Sequence, residues 1–89
     1  MAEDDPTPEE LRALQVQLAS LSVEQFLVSA ASTLAALGTA KLEAKDLPEA
    51  KRAIDALASV VAHLEGEFAP ELRQALTTLQ VAFAAAASA

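Results

Sequence analysis

Seven apolar positions, Leu47, Ala50, Ile54, Leu57, Val61, Leu64 and Phe68, follow one another at spacings that alternate between three and four residues. Side chains three and four apart stack on one helix face, so this run predicts a helix over about 47–65 whose seam packs on a neighbour at a shallow angle. Its start is signalled just upstream. In Asp46-Leu47-Pro48-Glu49 a capping carboxylate, a proline within the first turn and an acid at N3 stand where the unpaired amides of a helix start need them.

The same punctuation recurs along the chain. Thr7-Pro8-Glu9-Glu10 is a capping sequence with proline at N1, and it predicts a helix over 8–20 on which Leu11, Leu14, Leu18 and Leu21 form one stripe. Ser22-Val23-Glu24-Gln25 is a second capping box and predicts a helix over 23–42. Leu27, Ala30, Leu34 and Leu37 line one face of that helix, while Ser29, Ser32, Ala36 and Ala40 put small groups on another. Glu24 is the sole charge between Arg12 and Lys41, so the helix is expected to be covered on more than one side. Gly38 and the Thr39 to Lys45 stretch suggest that it frays or ends there, with Lys41 and Lys45 near its C-terminal dipole. Gly66 reads as a left-handed terminator of the third helix. Pro70 then restarts a helix over 70–85, and the short link makes an antiparallel hairpin. Leu72, Leu76, Leu79, Phe83 and Ala86 run along the last helix, widened by Ala75 and Ala82. The residues from Ala84 onward are expected to fray, leaving 87–89 as a tail. The first six residues, acidic and without periodicity, read as a mobile leader.

These signals place the chain in the all-α class, with three to four helices in one domain spanning 7–86. Of its 89 residues 22 are Ala, which leaves 25 large apolar side chains to fill a core. That core is thin for a lone chain of this length, so further burial is expected through oligomerisation into a helical bundle, most simply a two-fold dimer. The interface is expected on Leu27, Ala30, Leu34, Leu37, Ile54, Leu57, Val61, Leu76, Leu79 and Phe83.

A net charge of −7 opposes both phosphate backbones and anionic lipid, so neither nucleic acid nor membrane is an expected partner. The longest uncharged runs, Gln25 to Ala40 and Gln74 to Ala89, span 16 residues each and fall short of a bilayer crossing. The acidic N-terminus is unlike a basic secretory leader, which favours a cytoplasmic location. With no Cys there is neither a disulfide framework nor a thiolate metal site.

His63, Glu65 and Glu67 are the only grouping that resembles a metal or acid–base cluster. On a helix His63 and Glu67 alone would share a face, two ligands where zinc takes three or four, so the pattern reads as a solvated imidazole near a helix end. Ser and Thr residues occur in no nucleophile elbow, and Ser29 and Thr33 are read as bonding back to their own helix. The two glycines stand far apart at expected helix ends and make no phosphate cradle. Lys51, Arg52 and Asp55 form ordinary surface pairs. Phe26, Phe68 and Phe83, beside leucines at helical spacing, read as core. No catalytic residue, metal or cofactor is expected, and the chain reads as a non-catalytic interaction module. Two other readings stay open. One is a carrier of a small apolar ligand walled by the three phenylalanines; the other is an adaptor for the helix of a different protein.

Asp46-Leu47, Ala50, Ile54-Asp55, Leu57, Leu64, Gly66, Glu71-Leu72 and Leu79-Gln80-Val81-Ala82-Phe83, with Phe26-Leu27-Val28-Ser29 and Leu37-Gly38 upstream, resemble the bacterial family called domain of unknown function 1844. The likeness covers about Val23 to Ala86. The family's turn runs Lys-Thr-Lys-Gly-Asn-Leu, whereas residues 62–68 here are acidic and keep only the Gly. The resemblance implies a helical protein in a bacterial cytoplasm and assigns no activity and no site.

Overall fold

The computed structural model describes residues 5–89, so most of the expected acidic leader lies outside the described residues. Four helices are present: α1 (Pro8–Ser20), α2 (Val23–Glu43), α3 (Leu47–Val61) and α4 (Ala69–Ala87). They account for 80% of the described residues, among which there is no strand, and the fold is all-α. Three expected caps form. Thr7, Ser22 and Asp46 each accept a hydrogen bond from the amide three residues on, at 3.1, 3.3 and 3.3 Å. α4 instead begins behind Phe68 with no side-chain cap.

α2, α3 and α4 pack on one another in every pairing, most extensively α2 on α3, and make a three-helix bundle. The α3 seam is its axis. Ala50, Ile54, Leu57, Val61 and Leu64 are buried, Leu57 and Leu64 completely or nearly so. Ala31 of α2, Ala69 and Leu79 of α4 close on them, with Leu27, Val28, Leu34, Leu42, Leu72, Leu76 and Phe83 packed around the edge. Small side chains on α2 let the helices approach closely, which is how so few large residues fill the space.

Gly38 does not end α2. It is buried mid-helix, where a methyl group would stand 3.6 Å from both Ile54 and Leu79. The helix runs five residues further and stops at Lys45, whose φ of 61° makes it the left-handed residue of the turn. The Lys45 amide donates to Leu42 O at 3.0 Å and the Asp46 amide to Lys41 O at 2.9 Å, the paired closure that usually employs glycine.

The third helix is shorter than its seam. α3 stops at Val61, four residues before the expected end, and the amides of His63 and Leu64 turn inward to Val60 and Val61. Leu64 still reaches the core from this turn, but Phe68 loses the helical register and is 49% exposed. Gly66 is not left-handed; among the described residues no glycine has positive φ. At the other end of the chain α4 extends through the stretch where fraying is expected. Alanine has the highest helix propensity, and α4 continues to Ala87, where Ser88 Oγ donates back to Ala84 O at 2.9 Å.

α1 stands apart. It meets α2 at 91° and packs on no other helix. The Cα radius of gyration is 17.1 Å, against about 12 Å for a compact chain of this length. The molecule extends 54 Å in its longest dimension, and the unpacked arm adds to that spread.

Candidate interaction surface

α1 contains no buried residue, yet it carries the leucine stripe that the sequence marks as needing cover. Leu11, Leu14, Leu18 and Leu21 are 46 to 62% exposed. At the elbow Leu18 and Leu21 meet Val23 and Phe26 around an open apolar recess of about 250 Å3. Phe26 is therefore surface, not core, and Phe68 with it; Phe83 alone of the three packs against the buried cluster.

Two consecutive caps shape the elbow. Leu21, the C-cap of α1, and Ser22, the N-cap of α2, both have extended backbone, with ψ of 142° and 128°. The Leu21 amide donates to Leu18 O at 3.2 Å, and Ser22 Oγ receives the Gln25 amide. Both helix ends are thereby satisfied with α1 directed away from the bundle.

Most of the interface expected from the sequence lies inside the single chain. Ile54, Leu57, Val61 and Leu79 are buried in its own core, and Leu27, Leu34, Leu76 and Phe83 are half-buried against it. These eight are not available as a free docking face, because amphipathic seams on α2, α3 and α4 satisfy one another first. Ala30 is half-buried, and only Leu37, 45% exposed, still shows a large apolar group to solvent. Leu37 lies in an open groove of about 280 Å3 between α2 and α3, together with Leu34, Ala53 and Ala56, under Lys41, Glu49 and Arg52.

A polar anchor that the sequence does not announce holds the α3–α4 turn. The Glu24 carboxylate, in the first turn of α2, accepts the Gly66 amide at 2.8 Å and the Glu65 amide at 3.1 Å. From the other side Arg73 Nη2 donates to Leu64 O at 3.1 Å. The lone charge of an otherwise neutral stretch was the available signal, though nothing in the sequence named its partners. Gly66 is small for this contact, since a Cβ there would lie 2.8 Å from Glu24 Oε2.

The remaining polar side chains are ordinary. His63 is exposed in the turn beyond α3, so it shares no helix face with Glu67. Among the described residues no group of three potential metal ligands converges. Lys51 pairs with Asp55 at 2.8 Å and Arg52 with Glu49 at 3.2 Å, both in solvent. Thr39, Ser59 and Thr77 bond back to carbonyls four residues earlier; Ser29 and Thr33 do not. No single helix among the described residues is long and apolar enough to cross a membrane.

No family model matches the chain, and no curated protein or solved structure matches it either. These comparisons add nothing to the family resemblance read from residues 23–86.

Proposed function

We propose that the protein is a non-catalytic helical interaction module whose α1 arm makes it self-associate, most simply as a homodimer. One observation carries this reading. α1 displays four leucines on one face and packs on nothing in its own chain. With Val23 and Phe26 the arm presents apolar surface on the order of 600 Å2, at the upper end of the largest patch on ordinary monomers. A 13-residue helix is also too short to be stable alone in water, so its formation depends on being covered. The family resemblance supports a bacterial cytoplasmic setting for the module.

The test is the mass in solution. Sedimentation equilibrium over micromolar to millimolar chain concentrations is expected to show a dimer, and Leu14→Glu with Leu18→Glu to convert it to a folded monomer. Neither residue belongs to the bundle core, so α2–α4 helicity is expected to survive. A wild-type chain that stays monomeric throughout the range refutes the reading.

A further inference from the structure

We infer that two copies exchange arms: α1 of one chain lies in the α2–α3 groove of the other and completes a four-helix bundle there. This rests on the self-association just proposed and names the surface that receives the arm.

Three observations select that groove. Its floor is apolar, with Leu37 45% exposed beside Leu34, Ala53 and Ala56. Its rim carries Lys41, which makes no ion pair among the described residues, and Arg52, which gives one contact to Glu49 and keeps further donors free; Glu49 also lines the rim, so the three charges leave it net positive. The arm that would enter is acidic, since Glu9 and Glu10 open α1 and Arg12 is its one cation. A leucine stripe led by two carboxylates therefore meets an apolar trough whose rim is net positive, with Lys41 and Arg52 against Glu49. Of the other recesses, the α2–α4 groove offers Glu71 and no cation, the recess at the α3–α4 turn offers Glu24 and Glu67, and the α3–α4 groove offers Lys51 paired with Asp55. The first two repel the same arm and the third offers it no net attraction.

The occupant comes from another copy because the elbow turns α1 through 91° from α2, with both caps made, and holds it clear of its own α3. Area agrees as well. Two symmetric arm–groove contacts, each covering one face of a 13-residue helix, bury on the order of 1,600 Å2, the usual size of a stable interface.

Cysteine cross-linking tests the assignment, because the chain has no thiol of its own. Leu14→Cys and Ala56→Cys are prepared separately, one of them 15N-labelled, then mixed and oxidised. Both positions are exposed, so neither variant disturbs the core. The mixed disulfide, identified by mass, is expected to form several-fold faster than that of a control pair, Leu14→Cys with Thr78→Cys on the α2–α4 groove. In parallel, Lys41→Glu with Arg52→Glu is expected to weaken the dimer about tenfold, and adding Glu9→Lys and Glu10→Lys to the same chain to restore it to within about threefold. A dimer that shows neither cross-link preference nor charge rescue overturns arm exchange while self-association stands. A chain that stays monomeric overturns both.

Discussion

Glu24 and Gly66 form a pair that neither residue suggests alone. The carboxylate takes up two amides of the turn, and the missing side chain leaves room for it. Replacing Glu24 by Ala removes hydrogen bonds to a charged acceptor near the surface and is expected to lower unfolding free energy by about 1 to 2 kcal/mol. Gly66→Ala alone is expected to be destabilising, because its methyl group displaces the carboxylate. In the Glu24→Ala background the same change is expected to be neutral or stabilising by about 0.5 kcal/mol, since φ is negative there and the unfolded chain loses freedom. Urea titrations of the four proteins in this cycle measure the coupling; additive effects would dismiss it. Gly38 has the opposite character. A methyl group at that buried helical position finds ordinary van der Waals contact at 3.6 Å, so Gly38→Ala gains helix propensity at no steric cost. An increase of about 1 kcal/mol is expected, seen as a rise of roughly 4 to 8 °C in the thermal midpoint.

Among the elements, α1 differs from the rest in what holds it together. α2, α3 and α4 each bury a face in the common core, whereas α1 has only its Thr7 cap and its own backbone bonds. Helices of this length without tertiary support open readily. Amide exchange is therefore expected to show residues 8–20 weakly protected in dilute solution, with protection growing as concentration rises and arms find their grooves. The amides of α3 are expected to exchange only through global unfolding. Equal protection of α1 and α3 in the dilute monomer would mean that the arm is covered within its own chain.

For the molecule as a whole, the bundle core and the arm are two separate uses of apolar surface. Nine buried apolar residues hold the bundle, among them four alanines, and Leu57 at its centre is fully enclosed. A core of this size supplies limited stability, so binding energy from exchanged arms adds to it by mass action. The thermal midpoint of the wild type is accordingly expected to climb with protein concentration. In the Leu14→Glu, Leu18→Glu chain it is expected to stay constant. A wild-type midpoint independent of concentration would separate the fold from any assembly.

Sequence by itself determined the helices. The bounds of α1 were legible because Thr7-Pro8 starts it and the Ser22 cap forces a break, and the α3 seam named Ile54, Leu57, Val61 and Leu64 as residues that must be covered. Local backbone chemistry and periodicity are properties of neighbouring residues, so they can be read along the chain. Periodicity says that a face must be buried and not against what. Only tertiary structure decided that Leu27, Leu34, Leu76 and Phe83 serve the chain's own bundle, and that α1 is the stripe left over. It alone decided the path beyond α3, where the His63 and Leu64 amides turn back to Val60 and Val61 and the Glu65 amide goes to Glu24, 41 residues away. The meaning of each glycine also came from neighbours distant in sequence. Gly38 lies beneath Ile54 and Leu79, and Gly66 makes room for Glu24.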